Sequence, residues 1–116
     1  TQLYLQRHPC FDVCISKEGE VALLQLVEHL MVHGGIEKDA IIDGCHRLDV
    51  NGALLSGPYT FPDLNNVPSP YLDGTLDQFL PNGYDPMLET LRGCPYRCTF
   101  CVDGSDAFRK LRFFQN

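Results

Sequence analysis

The sequence predicts a small mixed α/β fold, and three observations carry that prediction. Apolar residues recur at helical spacing from Val21 to Met31, an Asn51-Gly52 pair divides two short apolar runs, and six of the eight prolines fall between Pro58 and Pro86. The first is the signature of an amphipathic helix and the second of a tight hairpin turn, while such proline density excludes a long regular element.

The elements follow in chain order. Val13, Cys14 and Ile15 form a short apolar run that reads as a strand and breaks into the polar "SKEGE". Ser16 is suited to cap a helix, and Glu18 and Glu20 stand where the positive end of a helix dipole favours carboxylates, as surface residues rather than catalytic ones. Leu23, Leu24, Val27, Leu30 and Met31 then form the predicted apolar face, with Gln25, Glu28 and His29 on the opposite side. The helix should stop at Gly34-Gly35, with His33 in its last turn. Two short strands, about 45 to 50 and 53 to 56, should pair across Asn51-Gly52. A proline-rich connector follows, in which residues 71 to 79 are expected to form a short helix bearing Leu72, Leu76 and Phe79. Met87, Leu88 and Leu91 read as a last strand that feeds "GCPYRCTFC". This element list is unbalanced for a complete domain, and the chain is expected to be a fragment.

Bulk properties narrow the function classes. With 116 residues, 44% hydrophobic content and a formal charge of −6, the chain has the composition of a soluble globular protein with one modest core. The acidic balance argues against a general nucleic-acid surface, and Arg109, Lys110 and Arg112 read as a solvated basic face. No apolar run approaches the length of a membrane span, and no signal core is evident, which points to a cytoplasmic protein. The six cysteines are then expected to be thiols or metal ligands rather than disulfides. Cys10 and Cys14 read as ordinary core cysteines, and Cys45-His46 as a weak metal candidate.

The chemistry concentrates in Cys94, Cys98 and Cys101, spaced C-x3-C-x2-C. Thiolates hold zinc and iron-sulfur clusters, and closely spaced cysteines on an irregular loop converge without an opposing element. A closed zinc site requires a fourth ligand, for which Cys10, Cys14, Cys45 or His46 would have to serve.

The motif resembles the signature of the radical S-adenosylmethionine (radical SAM) family. Arg92-Gly93 before the first cysteine, Pro95 after it and Phe100 before the last strengthen the likeness. "DVCISKEGE", "VNGALLS" and "LNNVPSPYLDGTLDQFL" extend it over about residues 11 to 112, to enzymes of the cobalamin-binding-domain type. The resemblance implies that Cys94, Cys98 and Cys101 hold three irons of a four-iron, four-sulfur (4Fe-4S) cluster. The fourth iron is then left for S-adenosylmethionine, whose adenine Phe100 would approach. It also implies residues 1–35 as the end of a Rossmann-like domain, 36–85 as hairpin and linker, and 86–116 as the start of the radical SAM barrel.

On the same footing a reductant protein is the implied partner of the parent enzyme. The family's glycine-rich motif would lie after Asn116. His8 lacks the pattern of a cobalt ligand, so cobalamin, possible in the parent protein, has no assigned ligand here. The fragment alone is expected to be inactive. The competing expectation, from another class, is a non-catalytic zinc-stabilised interaction module with the hairpin and proline-rich segment as its partner surface.

Overall fold

The computed structural model describes residues 1–59, 61–101 and 110–114. Two compact units make up the chain, Thr1–Pro62 and Asp63–Asn116.

The first unit is a three-stranded antiparallel sheet with two helices. Its elements are α1 (Gln2–Arg7), β1 (Cys14–Ile15), α2 (Glu20–His33), β2 (Cys45–Leu48) and β3 (Leu54–Ser56), with β2 central in the sheet. Cys14 pairs with His46 and Ile15 with Cys45 on one side of β2, while His46, Arg47 and Leu48 pair with Ser56, Leu55 and Leu54 on the other. The expected strand, helix and hairpin are therefore present. Their pairing is antiparallel throughout.

Helix α1 has no counterpart in the sequence expectations, and its stabilisation is tertiary. Six residues without a side-chain cap are too few for a helix to hold alone. Gln2 and Gln6, one turn apart, each donate from Nε2 to the Gly52 carbonyl at 3.2 Å, and Leu5 is buried where α1 packs on β2.

Helix α2 begins at Gly19 rather than at Ser16. The Gly19 carbonyl accepts the Leu23 N–H at 2.7 Å, and Glu20 is the acidic residue of the first turn. The other end is as predicted: Gly34 takes the left-handed conformation at φ 71° and donates to the Leu30 carbonyl. The helix face is not as predicted. Ala22, Gln25, Leu26 and His29 turn inward to varying degrees, whereas Leu23, Leu24, Val27, Leu30 and Met31 are all exposed, Met31 by 81%. The small Ala22 side chain explains the inward choice. Gly44, at φ 72°, passes so close that a Cβ there would lie 2.7 Å from the Ala22 Cβ, an approach no bulky residue on α2 permits.

The hairpin turn is wider than the two residues Asn51-Gly52 alone would give. Asp49 N–H donates to the Ala53 carbonyl, and the Asp49 carboxylate accepts from Ala53 N–H at 2.7 Å and from Asn51 N–H at 2.8 Å. Gly52 supplies the positive φ of 79° that a three-residue connection requires at its last position. Ala53 first, with Asn51 behind it, holds the Asp49 carboxyl below its ordinary range. A depressed folded-state pKa means stabilisation that is present above the unfolded value and lost as pH falls through the folded one. Asp49→Asn is therefore expected to lose less stability than the parent chain on acidification from about pH 6 to about pH 3, measured by thermal melts.

Tyr59 ties the end of the sheet to the segment before α2. Its hydroxyl accepts from Glu18 N–H at 3.1 Å and donates to the Glu18 carbonyl at 3.3 Å, while the Lys17 ammonium lies 4.5 Å from the ring centroid. Tyr59→Phe should cost about 1 kcal/mol of stability in chemical denaturation, the value of a lost partly buried hydrogen bond.

The second unit is mostly turns. A 3₁₀ turn at Leu64–Asn66 is capped by the Asp63 carboxylate accepting from Asn65 N–H, and another spans Leu80–Asn82. The helix expected over 71 to 79 does not form. Gly74 stands at φ 84°, and the Asp73 side chain accepts from Thr75 N–H at 2.9 Å, so the chain folds into successive turns instead. Tyr71 links this stretch to the following segment, its hydroxyl accepting from Met87 N–H and donating to the Met87 carbonyl. The predicted last strand is shorter than its apolar run: β4 is Leu91–Arg92 alone, and Met87 and Leu88 are exposed. It pairs antiparallel with β5 (Arg112–Phe113), Leu91 with Phe113 and Arg92 with Arg112. These residues make a two-stranded antiparallel ribbon.

Buried apolar side chains among the described residues are few: Leu5, Ala22 and Cys45 in the first unit and Leu64 in the second. No described helix is long and apolar enough to cross a membrane.

Candidate functional site

The three motif cysteines follow directly from β4. Gly93 leaves the strand at φ 105°, a conformation that only glycine adopts without strain, and Cys94 follows it. Arg92 stabilises the approach: its Nε donates to the Glu89 carboxylate at 2.8 Å, and its guanidinium lies 5.6 Å from the Phe114 ring centroid. Within the loop, the Cys101 N–H donates to the Cys98 carbonyl at 3.1 Å, which sets the last two cysteines in one turn. Strand pairing from Leu91 to Phe113 closes the base beyond them.

All three are free thiols, Cys98 exposed and Cys94 and Cys101 half-buried. Phe100, between them, is 92% exposed and takes no part in a core. The thiols form no group of ligand atoms within 4.8 Å of one another among the described residues. A single zinc ion, bonded to sulfur at about 2.3 Å, would need them closer than that. Three soft anionic donors on one loop suit an iron-sulfur cluster as they suit zinc.

The other sequence candidates lie elsewhere. Cys45 is buried, and its Sγ–H donates to the Ala22 carbonyl at 3.8 Å. Burial pushes its thiol pKa up, helped by the Asp43 carboxylate, which opposes the thiolate a metal needs. His46 Nδ1 is 2.7 Å from Ser56 Oγ in a cross-strand pair, and burial lowers its pKa. Both are thus engaged inside the first unit. Cys14 is half-buried on β1, but Cys10 is exposed, so the expectation of two core cysteines holds for neither fully and fails for Cys10. His8 lies against Tyr4 with ring centroids 4.5 Å apart and the planes tilted at 40°, in a small aromatic group with Phe11. Arg109 lies outside the described residues; Lys110 is exposed and Arg112 pairs in β5.

One cluster escaped the sequence reading. His29 and His33, one turn apart on α2, both face the Glu37 carboxylate, His29 Nε2 at 2.7 Å from Oε2 and His33 Nδ1 at 2.8 Å from Oε1. The Glu37 carboxyl is held below its ordinary range first by its own backbone N–H, which outweighs the opposing effect of burial, and then by the two histidines. The H-x3-H-x3-E spacing was the available signal. It was hidden because Glu37 lies beyond the Gly34-Gly35 helix end.

No family model matches the chain. Among characterised proteins it is 32% identical over 120 aligned residues to the cobalamin-dependent radical SAM methyltransferase TokK of Streptomyces tokunonensis. It is 33% identical over 119 residues to the 2-(S-pantetheinyl)-carbapenam-3-carboxylate methyltransferase of Streptantibioticus cattleyicolor. These alignments take in 97% and 96% of this chain but only 17% of each relative, so the chain spans about a sixth of the proteins it matches. Over nearly its whole length, then, the chain is similar to one segment of radical SAM methyltransferases, in agreement with the family its cysteine motif resembles.

Proposed function

We propose that the chain is a segment of a cobalamin-type radical SAM enzyme and carries the ligands of its 4Fe-4S cluster, Cys94, Cys98 and Cys101. The observation that carries this reading is three uncommitted thiols on one short loop, within a sequence similar along almost all its length to radical SAM methyltransferases. The donor set fits the group: three thiolates leave one iron without a protein ligand, and S-adenosylmethionine takes that position. When bound, the cluster supplies the electron that cleaves the sulfonium to methionine and a 5'-deoxyadenosyl radical.

The chain's own residues have simpler tasks. Gly93 lets the backbone turn out of β4, Arg92 fixes the strand end through Glu89, and the Cys98–Cys101 turn keeps two ligands in register. Metal uptake requires the thiols to give up their protons to solvent. Phe100, exposed next to Cys101 in sequence, would approach the adenine in the parent enzyme. The reaction class is methyl transfer, by likeness to the relatives, and cobalamin and substrate contacts belong to the rest of the parent enzyme.

The exposed face of α2 supports a larger whole. Leu23, Leu24, Val27, Leu30 and Met31 make an apolar stripe of the kind that additional protein covers. Alone, the segment is expected to be inactive.

Anaerobic reconstitution with iron and sulfide tests the reading. About four irons and four sulfides per chain are expected, with an electron paramagnetic resonance signal on reduction that changes when S-adenosylmethionine is added. Stoichiometric zinc with no cluster overturns it and favours the zinc module.

A further inference from the structure

We propose that His29, His33 and Glu37 form a second metal site, independent of the cysteine loop, that binds a divalent first-row ion, with zinc the ion its donors suit best. Two imidazole nitrogens and one carboxylate oxygen are borderline donors matched to zinc, and three protein ligands leave a fourth position for water. The donor atoms already lie within 4.8 Å of one another.

Backbone geometry brings them together. Residues four apart on a helix lie on one face, and the two rings stand 4.5 Å apart between centroids at 31°. Gly34 then ends the helix in the left-handed conformation, and the chain doubles back to place Glu37 against both rings. Arg47 of β2 holds that return in position. Its guanidinium donates to the Glu37 and Lys38 carbonyls and, from Nε, to the Ala40 carbonyl at 3.3 Å. The third ligand is therefore anchored to the sheet rather than carried on a free loop, which lowers the ordering cost of binding.

Little movement is needed. Zinc–nitrogen bonds of about 2.0–2.1 Å and zinc–oxygen bonds of about 2.0–2.2 Å put tetrahedral ligands about 3.4 Å apart. The nitrogen–oxygen distances of 2.7 and 2.8 Å, each to a different carboxylate oxygen, must open by about 0.6–0.7 Å around a shared ion, which side-chain rotation supplies, His33 and Glu37 being exposed. The proton on each nitrogen facing Glu37 must leave it. A neutral imidazole carries that proton on its other nitrogen, and a protonated one releases it to solvent. Nothing is oxidised or reduced.

The consequence is a clip across the helix end. An ion bridging α2 to the segment after it would fix the Gly34-Gly35 turn, where the helix otherwise depends on one glycine cap.

The test uses the full chain with Cys94, Cys98 and Cys101 replaced by serine, so that thiols do not compete. Calorimetric titration with zinc chloride should show one equivalent bound, and the ring C–H proton resonances of His29 and His33 should shift. His33→Ala and Glu37→Gln should each weaken zinc affinity at least tenfold. Glu37→Gln preserves the side-chain shape and guards against a folding defect in the histidine variant, with far-ultraviolet circular dichroism as the check. No uptake at about 100 μM zinc, or uptake that both substitutions leave unchanged, overturns the proposal.

Discussion

Gly57→Ala is expected to unfold the first unit. Gly57 N–H donates to the Cys45 carbonyl at 3.0 Å, which draws the end of the hairpin onto the backbone before β2. A Cβ at this position would stand 2.0 Å from the Ile42 carbonyl oxygen, 2.6 Å from its carbon and 2.9 Å from Asp43 Cα. All three are backbone atoms and have no rotamer by which to withdraw. Separating the segments would break the Gly57–Cys45 bond and strain the neighbouring Gly44–Pro58 one, so a cost of at least about 3 kcal/mol is expected. The unit has little to spare, since its buried apolar side chains among the described residues are Leu5, Ala22 and Cys45, and small domains are marginally stable. Gly35→Ala is the matched control: nothing lies within 4 Å of its added methyl group, and its backbone conformation is ordinary. Gly35→Ala should melt within a degree or two of the parent chain, while Gly57→Ala should lose its amide dispersion in nuclear magnetic resonance spectra. A Gly57→Ala chain that melts like the parent would show that Ile42 and Gly57 do not meet.

How well the sequence foretold each feature depended on how local its cause is. The grouping of Cys94, Cys98 and Cys101 on one loop was legible, because the three lie within eight residues and need no regular element to bring them near one another. Helix α2 was legible at its C-terminal end, since Gly34 stops it through a left-handed φ. Its orientation was not. Periodicity records which side of a helix is apolar, but the side that meets this sheet was chosen by the close approach of Gly44 to Ala22, a contact between residues twenty-two positions apart. Helix α1 was invisible for a related reason: its support comes from Gln2 and Gln6 reaching the Gly52 carbonyl, and neither glutamine carries a sequence signal for that. The false helix at 71 to 79 was the opposite error. Leu72, Leu76 and Phe79 supplied helical spacing, but Asp73-Gly74 between them was better suited to a turn. The histidine–glutamate cluster straddles a helix end and became visible only when the backbone after Gly34 was traced.

Replacing any one of Cys94, Cys98 and Cys101 by alanine is expected to abolish the reconstituted cluster, and the other cysteines provide the decisive contrast. A three-thiolate set has no spare ligand, so each substitution should reduce bound iron to the background of unfolded or adventitious binding, a loss of tenfold or more. Cys10→Ala, at an exposed position, should leave both iron content and stability unchanged. Cys45→Ala separates the two metal readings. Its sulfur is buried against Ala22, so its removal should lower stability by about 1–2 kcal/mol while leaving iron content as it was. If Cys45 instead completed a zinc site with the loop, Cys45→Ala would remove metal as thoroughly as Cys98→Ala does. Phe100→Ala serves the same purpose from the opposite side. At 92% exposure it supports no core, so stability and iron should both be retained. Any defect it causes should appear only when S-adenosylmethionine is added to the complete enzyme, as a weaker perturbation of the cluster's resonance signal. A loss of iron with Phe100→Ala would mean that the ring supports the loop itself, and the adenine-contact role would fall with it.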